Sequence, residues 1–150
     1  MKKLSYFPLI IIIIIHLVSC SSDDSPDNSA DQSLILGKWQ LVKVTRSTGE
    51  ITLSDCRKEE TLTFSDNGNI ENYYVDNDPC DYSTITFQYS VNGSELTFSI
   101  PGEGDNGGTY ILKSRMLSLT ENKLEFQSFN DNEIGDFPDS QKETQEYTKI

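Results

Sequence analysis

The sequence predicts an all-β domain, most simply a small antiparallel up-and-down barrel of about eight strands. Apolar and polar residues alternate with a period of two through most of residues 34–150, which is typical of strands with one buried face. Turn-forming pairs such as Asn92-Gly93 separate the alternating runs. No segment of this region has the 3.6-residue apolar repeat of an amphipathic helix.

The individual strands follow from the alternation and from the turns between them. Residues 85–91 alternate and end at Asn92-Gly93, a type I′ hairpin signal, and residues 96–100 alternate again after it. Asp66-Asn67-Gly68 separates two further alternating runs in the same way. The predicted strands are 37–46, 60–65, 69–75, 84–91, 95–100, 109–119, 123–129 and 143–149.

Two architectures can be built from these strands, a barrel and a β-sandwich. A flat sheet of this length would expose its edges, and closure into a barrel removes them. In an immunoglobulin-type sandwich the buried tryptophan lies between two paired cysteines. Here Trp39 precedes both Cys56 and Cys80. We therefore favour the barrel and keep the sandwich as the alternative.

The N-terminal segment has the layout of an export signal. Lys2 and Lys3 precede an apolar run that is too short to cross a hydrocarbon core of about 30 Å. Leu17-Val18-Ser19-Cys20 resembles a bacterial lipobox, in which the cysteine sulfur receives acyl chains such as palmitate and the preceding peptide is removed. The resemblance implies a lipoprotein signal peptide at 1–19 and a membrane anchor at Cys20. An ordinary secretory signal cut nearby is the alternative.

Residues 20–33 predict a disordered acidic tether, because no apolar residue larger than alanine follows Cys20 in this stretch. As a flexible coil the tether would span on the order of 20 Å. Acidic residues directly after a lipidated cysteine also resemble the surface-export signal of Bacteroidota lipoproteins. We therefore expect an outer-membrane lipoprotein of the cell envelope, with surface exposure as one orientation. Its single domain at 34–150 is expected to be a monomer.

The mature chain lacks the common catalytic groups. Cleavage before Cys20 removes His16, the sole histidine, which excludes imidazole-based nucleophilic sites and His-ligated zinc. Asp76, Asp78 and Asp81 could supply oxygen ligands to calcium, but their spacing fits no EF-hand. We predict that the protein is not an enzyme and that it has no cofactor and no metal site.

Charge argues against a nucleic-acid partner. Loss of Lys2 and Lys3 leaves 10 basic residues against 24 acidic ones, a net charge of −14. Phosphate backbones repel such a chain. Anionic lipid surfaces repel it as well, so the acyl chains on Cys20, not a basic patch, would hold the protein at the membrane.

Cys56 and Cys80 remain after Cys20 is acylated. An even pair of cysteines in an exported chain predicts a disulfide. Closing a loop of this length would stabilise the fold by about 3 kcal/mol on the chain-entropy model. Two free thiols are the alternative.

Two short motifs resemble a known family. Gly37-Lys38-Trp39 is similar to the Gly-x-Trp signature of lipocalins, in which the tryptophan closes one end of an eight-stranded barrel. Residues 36–41 and 62–68 resemble the lipocalin-like domains of Bacteroidota lipoproteins. In lipocalins an arginine near the last strand stacks over the tryptophan, whereas Lys149 is the only cation in the corresponding stretch. The Thr-Asp-Tyr motif and the C-terminal helix of the longer lipocalins are not visible.

The resemblance implies a binding protein, and two functions remain open. The leading hypothesis is a barrel that binds a small apolar or amphipathic ligand. The alternative is an interaction module that contacts polysaccharide or an envelope protein through its loops and exposed tyrosines, with no internal ligand. The candidate ligand-binding residues are Trp39, Phe64, Phe87, Tyr89, Phe98, Tyr110 and Phe126. The alternation also directs eight aliphatic residues inward: Leu41, Leu62, Ile85, Leu96, Leu112, Leu117, Leu119 and Leu124. The tyrosines of the alternative are the cluster around Cys80: Tyr73, Tyr74, Tyr82 and Tyr89.

Overall fold

Eight antiparallel strands close into a barrel in a computed structural model that describes residues 32–77, 80–102 and 108–150. The strands are β1 (Gly37–Arg46), β2 (Gly49–Ile51), β3 (Thr61–Phe64), β4 (Asn69–Asn77), β5 (Asp81–Asn92), β6 (Glu95–Pro101), β7 (Thr109–Leu119), β8 (Lys123–Asp131), β9 (Gly135–Asp136) and β10 (Thr144–Lys149). Two short 3₁₀-helices, Gln32–Ile35 and Arg57–Glu59, complete the described secondary structure.

The ring runs from β1 through β3, β4, β5, β6, β7 and β8 to β10, and β10 pairs again with β1. The short strands β2 and β9 lie outside it and pair with β1 and β8 respectively. The barrel prediction is therefore confirmed over the sandwich. Each of the eight predicted strands corresponds to one strand of the ring.

The prediction that Leu117 faces the interior is wrong, because its side chain is 50% exposed. The register of β7 against β8 shifts between Met116 and Ser118, so Leu117 is an extra residue in a β-bulge. A bulge reverses the alternation beyond it. Met116, before the bulge, and Leu119, after it, therefore both face inward. Met116 is buried, and Leu119 packs against the core as predicted.

A second bulge lies in β1, where the register against β10 shifts between Leu41 and Lys43. The buried positions of this strand are therefore Trp39, Leu41 and Val44 instead of a strict alternation. Val42, at the bulge, is 45% exposed. Other core residues that the sequence did not single out are Ile35, Leu53, Ile70 and Tyr147.

The predicted Cys56–Cys80 disulfide is present, with the two Cα atoms 5.3 Å apart. It connects the segment that carries the second 3₁₀-helix to the start of β5. The first 3₁₀-helix begins at Gln32, inside the predicted tether. The signal peptide, Cys20 and the rest of the tether lie outside the described residues. Within the part of the chain that the structure describes, no helix is long and apolar enough to cross a membrane.

Candidate functional site

One end of the barrel is closed around Trp39, which is completely buried. Its indole Nε1 donates a hydrogen bond to the carbonyl of Ile35 at 2.6 Å, which holds the first 3₁₀-helix against this end. The Lys149 ammonium lies 5.0 Å from the indole ring centre and donates to the carbonyl of Leu34 at 3.1 Å. Gly37 has a φ of +113°, and a Cβ there would lie 3.0 Å from the Lys149 side chain. Only glycine suits both the backbone and the space at this position.

Aromatic rings fill the middle of the barrel. The Phe87 and Phe98 ring centres are 5.8 Å apart, those of Phe98 and Phe126 are 5.7 Å apart, and those of Phe126 and Tyr147 are 5.6 Å apart. Each of these four side chains is at most 7% exposed. Distances of this size are those of favourable aromatic pairs. A ligand would have to displace these contacts to reach the middle of the barrel.

The four rings of Phe87, Phe98, Phe126 and Tyr147 form what we call the aromatic layer. On its closed side Phe64 and Tyr89 form another contact, with perpendicular rings 4.9 Å apart. The Tyr89 hydroxyl donates to the carbonyl of Ser65 at 2.9 Å. The structure thus places six of the seven candidate ligand-binding residues in the closed half and the middle, packed in the core. Tyr110 alone lies at the opposite end, at the start of β7.

That opposite end, which we call the mouth, is different because apolar residues facing inward remain partly accessible. Ile85, Ile100 and Leu112 pack against the core, yet each is only half-buried. They belong to β5, β6 and β7, and the register places Ile100 beside Tyr110 and Leu112 beside Asp131. Partly accessible apolar residues with a few polar neighbours are the kind of lining that small-ligand sites have.

Tyr110 and Asp131 form a fixed polar pair at the mouth. The Tyr110 hydroxyl donates to Asp131 Oδ2 at 2.8 Å, and the backbone N–H groups of Glu133 and Ile134 donate to Oδ1 at 2.9 and 2.6 Å. The Ile134 N–H, with further help from Tyr110 and Glu133, lowers the pKa of Asp131 below its usual value. Burial and then the bond to Asp131 raise the pKa of Tyr110 to about 12. At neutral pH the pair is therefore a carboxylate that accepts from a protonated phenol.

This pair predicts a specific loss of stability at alkaline pH. Because the native pKa of Tyr110 lies above 10, its contribution is complete below pH 10 and is lost as the pH rises towards about 12. We expect Tyr110→Phe to unfold in urea with a smaller difference between pH 9 and pH 11.5 than the unchanged protein. In an Asp131→Asn background, Tyr110→Phe should change the pH dependence of stability less, since one cause of the raised Tyr110 pKa is then absent. Identical pH dependence with and without Tyr110 would contradict the assignment.

A second series of hydrogen-bonded polar side chains extends along the inner side of β10. It begins at Glu143, the residue before this strand. Arg46 contacts Glu143 at 2.9 Å, Gln145 Nε2 donates to Glu143 Oε1 at 2.9 Å, and the Tyr147 hydroxyl donates to Gln145 Oε1 at 2.8 Å. Burial raises the pKa of Tyr147 above its usual value. The series leads from the rim to the aromatic layer. The sequence reasoning missed it, although the alternation of Glu143, Gln145 and Tyr147 was a usable signal.

An ion pair lies where the second 3₁₀-helix contacts β1 and β4. Arg57 donates from Nε and Nη2 to the two carboxylate oxygens of Glu60 at 3.2 and 3.3 Å. The Glu60 side chain is only 14% exposed, and its Oε1 also accepts the N–H of Val75 at 3.4 Å. This two-point geometry orients the carboxylate.

No group of three or more potential metal ligands occurs among the described residues. Of the three aspartates considered for calcium, Asp76 accepts a hydrogen bond from the Ser83 hydroxyl at 3.3 Å. Asp78 lies outside the described residues.

Comparison with known proteins agrees with this geometry. The family model of the lipocalin-like domain matches residues 35–126, which is more than half of the chain. The chain belongs to the lipocalin-like domain family. Its barrel is therefore of a kind typical of non-enzymatic binding proteins, and a small ligand is compatible with it.

Two solved structures share this lipocalin-like fold. A lipocalin-like protein from Bacteroides uniformis has a TM-score of 0.55 at 15% sequence identity, over 78% of this chain and 99% of that protein. An uncharacterized protein from Bacteroides eggerthii has a TM-score of 0.51 at 16% identity, over 77% of this chain and 98% of that protein. At these identities the likeness shows the fold alone. A search of curated proteins found no match.

Proposed function

We propose that this chain is a cell-envelope lipoprotein, anchored in the outer membrane through acylated Cys20, whose barrel binds a small amphipathic ligand at its mouth. The observation that carries the proposal is the partial exposure of Ile85, Ile100 and Leu112 at inward positions. Support for the anchor comes from the lipobox-like residues before Cys20 and from the acidic composition of the tether.

The filled middle of the barrel limits the size of the ligand. An apolar group could cover the floor of the mouth without displacing the aromatic layer beneath it. If it removed about 100 Å² of apolar surface from water, the gain would be about 2.5 kcal/mol. A micromolar complex requires about 8 kcal/mol. Polar contacts must therefore contribute, and the half-buried side chains of Tyr110 and Gln145 could provide them.

The alternative function has one observation in its favour. The rings of Tyr73 and Tyr82 stack in parallel, with centres 4.8 Å apart and planes inclined by 13°. Both residues are half-buried and lie next to the disulfide, since the Tyr82 hydroxyl donates to the carbonyl of Cys56 at 3.4 Å. Paired aromatic rings can contact a sugar or a protein surface. The same hydrogen bond also gives Tyr82 a structural role.

Binding of the neutral fluorescent probe N-phenyl-1-naphthylamine to residues 20–150 distinguishes the two functions. We expect Leu112→Trp, which fills the mouth, to weaken probe binding at least tenfold. Leu117→Trp is the matched control, because Leu117 lies on the same strand but is 50% exposed on the outside. Its affinity should equal that of the unchanged protein. Thermal unfolding would verify that both variants are folded.

Each other outcome has a clear meaning. If the unchanged protein does not bind the probe, the ligand-carrier function is contradicted and the interaction module is favoured. If both variants bind the probe equally well, the binding site is not at the mouth.

A further inference from the structure

Strand pairing does not close the barrel wall completely. β3 pairs with β4 only over Thr61–Phe64, which reaches Tyr73 on β4. β2 pairs with β1, and no strand of the described chain pairs with its other edge. Between β2 and residues 74–77 of β4, the described residues therefore leave a slot without strand-to-strand hydrogen bonds.

Residues 52–60, which we call the wall segment, occupy this slot. Towards β1 the segment makes two short hydrogen bonds. Gln40 Nε2 donates to the carbonyl of Lys58 at 2.7 Å, and the Leu41 N–H donates to the carbonyl of Glu60 at 2.9 Å. These are ordinary, strong distances. The β1 side of the wall segment is firmly attached.

The attachment to β4 and β5 is of another kind. The Val75 N–H donates to Glu60 Oε1 at 3.4 Å and the Tyr82 hydroxyl donates to the Cys56 carbonyl at 3.4 Å. Both distances exceed the usual range of hydrogen bonds, so both are weak. Among the described residues the Cys56–Cys80 disulfide is the covalent connection between the wall segment and this side of the slot. The wall segment is thus fixed on one side and depends on the disulfide on the other.

Cys80 is held in an unfavourable backbone conformation. Its φ of +95° is the only positive value of a non-glycine residue in the described chain. L-residues avoid this region for steric reasons. The residue is also exposed, so a reductant can reach the disulfide.

A cleft of about 470 Å³ lies beside the wall segment, lined among others by Leu41, Ile51 and Leu53. Leu41 is a core residue with 1% exposure. The cleft is also lined by the exposed residues Val42, Glu50 and Thr52, so it opens to solvent, and Leu53 of the wall segment, which is buried in the core, separates it from the barrel interior.

We propose that the wall segment is a side portal to the mouth of the barrel, latched by the Cys56–Cys80 disulfide and opened by its reduction. A dithiol reductant of the envelope supplies two electrons and two protons; the S–S bond breaks, Cys56 and Cys80 become thiols, and the reductant becomes a disulfide. The role of the opening as a ligand route rests on the proposed binding function. The redox-dependent opening of the wall segment does not rest on that function.

Hydrogen exchange followed residue by residue tests the opening on residues 20–150, oxidised and after reduction with a phosphine. We expect the exchange of the Val75 amide to accelerate at least tenfold on reduction, whereas the Leu41 amide, on the firmly attached β1 side, should change much less. The amides of Tyr89 and Met116, which donate to Gly68 and Ser94 at 2.8 and 2.7 Å, are far from the slot and should change much less. Leu96→Ala with the disulfide intact is the control for general loss of stability. It should not accelerate hydrogen exchange preferentially at the slot.

The dissociation rate of N-phenyl-1-naphthylamine gives a second measurement, and we expect reduction to raise it at least fivefold. If hydrogen exchange accelerates equally at all four amides, or at none of them, the portal proposal is overturned. An unchanged dissociation rate overturns its role as a ligand route. If the probe binds neither form while exchange is faster only at the slot, the proposed function fails and the redox-dependent opening stands. In Glu60→Gln the disulfide is intact, and the slot should remain closed.

Discussion

Trp39→Ala is expected to destabilise the domain by about 4 kcal/mol, a typical cost of deleting a fully buried aromatic side chain. The indole is 0% exposed, and its removal would leave a cavity at the closed end. The carbonyl of Ile35 and the ammonium of Lys149 would each lose a contact as well. Domains of this size have a total stability of about 5–15 kcal/mol, so the loss would be a large part of that total. Urea unfolding followed by circular dichroism measures the loss.

Trp39→Phe provides the control for this prediction. Phenylalanine keeps most of the apolar volume but cannot donate to the Ile35 carbonyl. We expect the free energy of unfolding to fall by about 2 kcal/mol, less than in the alanine variant, since a buried acceptor is left unpaired. A loss below about 1 kcal/mol for Trp39→Ala would mean that the closed end does not depend on this residue.

Cys20→Ser is expected to move the protein almost entirely from the membrane fraction to the soluble fraction. Two or more acyl chains give stable membrane attachment, whereas one chain is marginal. The remaining chain carries a net charge of −14 and has no basic patch in the tether to replace them. Fractionation of cells that produce the full-length chain, followed by detection of the protein, measures the change.

The matched control is the Cys56→Ser, Cys80→Ser double variant, which keeps Cys20. It should remain in the membrane fraction although it has lost the disulfide. If Cys20→Ser also stays with the membranes, the assignment of the anchor to this cysteine is wrong.

The predicted strands agree with the observed ones because alternation and hairpin turns are local signals. A residue two positions along a strand lies on the same face whatever the neighbouring strand does. The residues around Asn92-Gly93 illustrate this, since β5 and β6 end and begin at the predicted turn. The partnership of Cys56 and Cys80 could also be predicted, because few cysteines remained to pair.

The candidate site was predicted less completely. The aromatic residues chosen from the sequence are mostly core, and of them only Tyr110 lies at the mouth. Composition and alternation identify residues that face inward. They do not distinguish a ring packed on other rings from one that is partly accessible, because accessibility depends on which strands meet at each level of the barrel.

The sequence by itself determined the all-β class, the eight strands and the disulfide pair. The tertiary structure decided the rest. Bulges at Val42 and Leu117 changed which residues face inward, because an unpaired residue in one strand depends on the register of its neighbour. The bond between Tyr110 and Asp131, and the contacts of the wall segment between β2 and β4, join residues distant in sequence, and no local pattern determines such contacts.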